Sequence, residues 1–236
     1  MPKPLFRYAG DEMNFEAVKP EIEPVFENKY LKAYDIHYAP GKHYFEASRR
    51  EQERLVAAMS DAEFRSMLPD AVTCCVIFSD PADPAGDNDR LLLSYEYRYP
   101  CGNFLLSPPA GLIDPEDREN PDALIVTAER EIREETGLDI DRERGDRVFT
   151  VSPVLFSSPG MTDESNGIVC AVLNRFWRDA NVKYDNAVGT EMFKGSIFVS
   201  KEQAREIIKR GQDEYGHFFS VYTALALFYF ISDLWK

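Results

Sequence analysis

The chain is short of basic residues. Its 27 Lys and Arg stand against 41 Asp and Glu, leaving a net charge of −14 over 236 residues. No run of Lys or Arg is longer than a pair. That argues against a nucleic-acid partner, because gripping a phosphate backbone takes clustered cations that displace counterions. Long apolar runs are also missing. The longest, TALALFYFI at 223–231, is too short to span a bilayer, so no membrane association is expected. The opening stretch MPKPLFRYAGDEMNF has no apolar core of a signal peptide, and a soluble cytoplasmic protein is expected. The four cysteines, Cys74, Cys75, Cys101 and Cys170, show neither CxxC nor secreted-framework spacing and lie in or near apolar runs. They are expected as reduced core residues. Histidine is scarce, and His37, His43 and His217 show no ligand spacing and receive no role. No GxGxxG follows a strand and no GxxxxGK[ST] occurs, which sets aside the doubly wound dinucleotide and P-loop folds.

What is present is enough apolar residue, 44%, to bury a sizeable core as one large domain or one domain plus a small one. Residues 1–28 are polar and contain proline, with little period. YLKAYDIHY (30–38) and KHYFEASRR (42–50), joined by Ala-Pro-Gly, read as a hairpin. Residues 51–69 are charged and helical in propensity, with a start signal at Ser60, and read as a connector. Strands follow at 71–78, 90–100 and 103–107, then at 147–156, 167–177 and 192–200 around the loop SSPGMTDESN. An amphipathic helix at 201–210 and a buried terminal helix close the chain. Trp177 and Trp235 are most simply core. The strand–helix–strand order implies an α/β sandwich, with residues 1–68 as a small N-terminal unit and 69–236 as the main domain.

The most informative stretch is Gly111 to Leu138, GLIDPEDRENPDALIVTAEREIREETGL. Its second half predicts a helix from about Asn120, with Pro121 at the first position, to Gly137. Leu124, Ile125, Ala128 and Ile132 share one face, and Glu131, Glu134 and Glu135 at i, i+3 and i+4 overlap its edge. A solvated charged helix would explain the i, i+4 pairs Glu129–Arg133 and Arg130–Glu134. It does not explain three carboxylates at a core boundary. Two carboxylates about 5 Å apart repel by roughly 3 kcal/mol at an effective dielectric near 20. Such a group calls for a cation or raised pKa values, and oxygen-only ligands suit Mg²⁺ or Mn²⁺.

The segment resembles the Nudix box, G-x5-E-x7-R-E-U-x-E-E-x-G-U with U a bulky aliphatic residue. Arg130, Glu131, Ile132, Glu134, Glu135, Gly137 and Leu138 match its second half without a gap. Gly111 and Arg130, however, are 19 positions apart where the pattern has 14, and Asp122 stands in place of the first Glu. DPEDREN is read as a lengthened loop. Beyond the box, EYRYPCGNFLLSPPAGLID and SSPGMTDE resemble segments of ADP-ribose pyrophosphatases, although Ser107 and Pro108 replace the usual Glu and Leu. FEASRR and VYTALAL resemble that subfamily's dimerisation hairpin and terminal helix, which extends the likeness over about residues 29–236.

The resemblance implies a Nudix-type α/β/α sandwich with a mixed sheet, plus a small N-terminal β-hairpin unit that makes a homodimer. It implies Mg²⁺-dependent (or Mn²⁺-dependent) hydrolysis of ADP-ribose or a related nucleoside diphosphate sugar. Another nucleotide substrate, such as GDP-mannose or a dinucleoside polyphosphate, and a non-catalytic binding module stand as alternatives. On this reading the carbonyl of Ala110, Glu131 and Glu135 hold metal, and Glu134 is a further ligand or base. Arg130 orients the carboxylates, and Glu164 is the general base, with Asp163 as neighbouring candidate. Arg50 and Arg98 are candidates for phosphate, since guanidinium suits bidentate recognition, or else form surface ion pairs. Phe45 is a candidate for base stacking, or else a hairpin-core or dimer contact. Gly160 and Met161 complete the expected substrate contacts.

Overall fold

The computed structural model describes residues 19–183 and 192–236. The reading of residues 1–18 as polar and aperiodic lies outside them. Two compact units result. One takes the described residues through Ser66 together with Gly160–Asp163, and the other takes Met67–Pro159 and Glu164–Lys236.

The first unit is a three-stranded antiparallel sheet in the order β1 (Glu21–Glu27), β2 (Lys32–Ala39), β3 (Lys42–Ser48). The expected hairpin is β2–β3. β1 is an addition where no period was visible. Nearly all of it is exposed, so no apolar alternation marks it, and its register breaks between Pro24 and Phe26, as an edge strand tolerates. Residues 51–69 are less helical than their propensity suggests. Two 3₁₀ turns, Gln52–Arg54 and Val56–Ala58, precede a six-residue helix α1 (Asp61–Ser66). The Ser60 start signal is real: Glu63 N–H donates to Ser60 Oγ (3.3 Å) and Ser60 N–H to Glu63 Oε2 (2.7 Å). A longer helix is interrupted upstream, where the Val56 amide donates to Asp163 Oδ2 at 3.2 Å instead of to a helical carbonyl.

The second unit runs β4 (Ala71–Ser79), β5 (Arg90–Arg98), β6 (Asn103–Ser107), β7 (Ala110–Leu112), α2 (Ala123–Thr136), β8 (Arg147–Phe156) and β9 (Ser165–Asn174). It finishes with β10 (Phe193–Val199), α3 (Lys201–Arg210) and α4 (Val221–Ser232). The sheet order is β10-β5-β4-β9-β8, with β6 on β5 and β7 on β4. β4 and β9 are parallel and the other pairs antiparallel, so the sheet is mixed. β7 was not foreseen, since Ala-Gly-Leu is too short to carry a period.

β4 explains the layering. Val72, Cys74, Val76 and Phe78 point to one face and pack with Ala128 and Ile132 of α2. Cys75 and Ile77 point to the other and pack with Ala204 and Ile207 of α3 and Ala226, Leu227 and Phe230 of α4. Side chains alternate across a strand, so a strand covered on both faces reads as one continuous apolar run. The result is the expected α/β/α sandwich, with α2 the α-helix on the first face among the described residues. Two details differ from expectation. Cys101 is exposed at a 3₁₀ turn, while Cys74, Cys75 and Cys170 are buried free thiols. The terminal helix α4 buries one side only, leaving Val221 and Phe228 open. It is apolar all round, so its sequence pattern does not tell one side from the other.

Candidate active site

α2 starts later than its residues suggest. Asn120 Oδ1 accepts from Asp122 N–H at 2.9 Å and Asn120 O accepts from Ala123 N–H at 3.1 Å. These bonds close a turn around Pro121, and the helix begins at Ala123 with Asp122 as N-cap. It ends as expected at Gly137, in the left-handed conformation at φ 68°, whose N–H reaches Arg133 O at 2.9 Å. Ala128 and Ile132 are fully buried, which rotates the acidic edge of the helix toward β7.

There the predicted carboxylates separate into two kinds. Glu131 and Glu135 are buried, at 8% and 5% exposure, whereas Glu134 is only partly covered. Glu135 Oε1 accepts from the Ala110 amide at 3.2 Å. Glu131 lies so close to Gly111 that a Cβ there would overlap its carboxyl group, so any side chain at 111 would have to displace the carboxylate or the strand. Arg130 then spreads over the cluster. Its Nη1 donates to Glu131 Oε1 (2.7 Å) and Glu134 Oε2 (3.2 Å), and its Nη2 to Leu112 O (3.0 Å). Nη2 also pairs with Asp114 Oδ2 at 3.2 Å, and Nε donates to Asp117 Oδ2 at 3.4 Å. Asp117, in turn, accepts from Thr127 Oγ1 at 3.1 Å. The lengthened loop therefore supplies two carboxylates, Asp114 and Asp117, that grip Arg130. Sequence reasoning missed them, and the visible signal was the acid count of DPEDREN facing one arginine on the next helix.

Register places Glu164 at the same end of the sheet. Ala71 of β4 pairs with Leu112 of β7 on one side and Asn166 of β9 on the other, and Glu164 directly precedes β9. Asp70 pins that strand start, accepting from Ser165 N–H (2.8 Å) and Oγ (3.0 Å); it too was unforeseen. Asp163 is differently employed. It is buried in the N-terminal unit, where its carboxylate accepts from Val56 N–H and pairs with Arg50 Nη1 at 3.2 Å.

The remaining predicted residues fall in two places. Arg50 also donates to the Asp163 carbonyl at 2.8 Å. Gly160 O accepts from Tyr44 OH at 2.7 Å, and Met161 O from Ala47 N–H at 2.9 Å, with the Met161 side chain exposed. Arg50, Gly160, Met161 and the open ring of Phe45 thus belong to the N-terminal unit, and Phe45, 64% exposed, is no hairpin-core residue. Arg98 stands at the end of β5 in an ion pair with Glu96 at 2.6 Å.

The residues fit a hard divalent cation. Glu131 and Glu135 offer buried oxygens on successive turns beside a glycine, an oxygen-only set of the kind Mg²⁺ and Mn²⁺ take. The donor atoms of Glu131, Glu134 and Glu135 do not all lie within 4.8 Å of one another. An ion held here would complete its shell with waters or substrate phosphate oxygens, as Mg²⁺ usually does.

The acidic helix α2, the glycine of β7 and the two-sided sheet make up a fold of Nudix type, and comparison with known proteins bears out that resemblance. A Caenorhabditis elegans protein assigned by its name to the nudix hydrolases is 37% identical over 79 residues, 34% of this chain. The match spans about a third of that relative's own length, 31%. A crystal structure of an ADP compounds hydrolase shares the fold at a TM-score of 0.55, covering 94% of this chain and 96% of that one at 17% identity. No protein-family model matches the chain.

Proposed function

We propose that this protein is a divalent-cation-dependent Nudix hydrolase that splits ADP-ribose or a related nucleoside diphosphate sugar into a nucleoside monophosphate and a sugar phosphate. The observation that carries the reading is the burial of Glu131 and Glu135 against Gly111 with Arg130 fixed across them. A merely solvated helix has no reason to bury two carboxylates on adjoining turns. The names of both similar proteins, a nudix hydrolase and an ADP compounds hydrolase, support the same chemistry.

In this reading Glu131, Glu135 and the Ala110 carbonyl hold Mg²⁺ or Mn²⁺, and Glu134 adds a ligand. The bound cation supplies Lewis acidity and a template for the phosphates. Glu164 takes the proton of the attacking water as its oxygen bonds to one phosphorus. The bridging P–O bond breaks, and the bridging oxygen leaves with the second phosphate. The engagement of Asp163 with Arg50 and Val56 counts against Asp163 as that base. Arg130 keeps Glu131 and Glu134 oriented. Arg50, Arg98, Phe45, Gly160 and Met161 are proposed substrate contacts, Arg98 by exchanging Glu96 for phosphate. The catalytic domain is proposed to be 69–236.

The reading is tested by a phosphate-release screen over nucleotide sugars with Mg²⁺, comparing wild type with Glu135→Gln and Glu164→Gln. Turnover that needs Mg²⁺ and falls about 10²-fold or more in each variant is the expected result. Absence of Mg²⁺-dependent turnover on every diphosphate would leave a nucleotide-sugar-binding module. Preference for GDP-mannose or a dinucleoside polyphosphate would keep the mechanism and replace the substrate. A near-normal rate for Glu164→Gln would move the base to Glu134 or Asp163.

A further inference from the structure

Away from this site, the three-stranded sheet of the N-terminal unit gathers the one set of three ligand-type side chains, among the described residues, whose donor atoms all lie within 4.8 Å of one another: Asp35, His37 and His43. The hairpin is responsible. His37 and His43 are direct partners in the β2–β3 register, and Asp35 lies two positions along on the same face. Glu23 faces Asp35 from β1. Sequence spacing hid the set, because only the pairing of the strands brings the two histidines together.

The distances are those of a coordination shell. Tetrahedral zinc with ligands at about 2.0–2.1 Å holds its donor atoms about 3.3 Å apart. Here Asp35 Oδ2 is 2.9 Å from His43 Nδ1 and 3.3 Å from His37 Nε2, and Glu23 Oε2 is 3.9 Å from His37 Nε2. The imidazole rings meet at 4.4 Å between centroids. An ordinary hydrogen-bonded ion pair accounts for His43 and Asp35. His37 Nε2, a buried atom, has the same carboxylate and that of Glu23 within ion-pair distance but makes no hydrogen bond among the described residues. A ring nitrogen aimed at a carboxylate and a second imidazole, yet making no hydrogen bond, is suited to donate its lone pair to a metal.

We propose that Asp35, His37 and His43 form a Zn²⁺ site, with Glu23 or water as fourth ligand, that cross-links the strands of the N-terminal sheet. Two imidazoles with carboxylate select zinc over magnesium, which prefers oxygen throughout. The unit has use for such a link. Tyr34 and Leu55 are its buried hydrophobics among the described residues, and so small a core gains from a metal staple. The site is independent of the proposed hydrolase chemistry.

The test is titration of the metal-free full-length protein with Zn²⁺ in a large excess of Mg²⁺, by calorimetry and with Co²⁺ as a visible-absorption probe. Wild type and Glu135→Gln should each bind one equivalent with the intense bands of tetrahedral Co²⁺. His43→Gln, at a partly exposed position, should weaken binding at least tenfold. Zn²⁺ should also raise the melting temperature of wild type and not of His43→Gln, whose circular dichroism should match wild type. Three results would overturn the proposal: no binding by wild type, equal binding by His43→Gln, or loss of the equivalent in Glu135→Gln alone.

Discussion

One carbon atom separates Gly111 from alanine, and it would occupy the place of the Glu131 carboxylate. Gly111→Ala must therefore displace either the β7 strand or Glu131. Overpacking of this kind costs about 1–3 kcal/mol. The variant should unfold at lower denaturant and lose Mg²⁺-dependent turnover together, whereas Gly102→Ala, strained by its φ of 60° but with open space around it, should lose some stability and keep its turnover. Retained turnover in Gly111→Ala would mean that the Glu131 position is immaterial. Glu46 makes a different case. Burial first, and then the nearby Asp163 charge, push its carboxyl from 4.5 to about 7, with Arg50 opposing. A raised value means that the folded chain holds this proton more tightly than the unfolded one, so stability falls as pH rises from 4.5 to about 7 and is level beyond. Glu46→Gln should accordingly raise the melting temperature above that window and leave it unchanged below. An equal shift at every pH would assign the effect to packing instead.

At the scale of the element, α2 was legible because two signals agreed: a 3.6-residue apolar stripe and a glycine stop. Its first turn was not, since the choice between Pro121 at the first position and a turn closed by Asn120 depends on side-chain hydrogen bonds. Strands β1 and β7 went unread for opposite reasons, one almost wholly exposed and the other three residues long. The packing of α2 is testable without reference to catalysis. Ile132 is fully buried against the β4 and β9 side chains, and Ile132→Ala should cost about 2–5 kcal/mol through lost burial and a cavity. Chemical denaturation reads this as a lower midpoint at unchanged slope.

For the molecule as a whole, the N-terminal sheet leaves Val25, Phe26, Tyr38, Tyr44 and Phe45 exposed, side chains of the kind an interface covers. Together with the hairpin's resemblance to a dimerisation unit, this favours a homodimer. Sedimentation should give the mass of two chains, and Phe26→Asp should shift it toward one. A wild type that sediments as a single chain would remove the dimer. No described helix is long and apolar enough to cross a membrane.

What the residues alone determined was local and periodic. The alternation of β4, the stripe of α2 and the run REIREETGL each repeat within one element, and hydrophobic burial leaves such periods little choice of face. What only the tertiary structure decided was convergence. It joined Asp114 and Asp117 to Arg130 across a turn, gave Asp163 to Arg50 and left Glu164 beside β9, and set His37 against His43 through strand register. Each of these pairs is distant or aperiodic in the chain, and is fixed by the backbone geometry that the burial of other residues imposes.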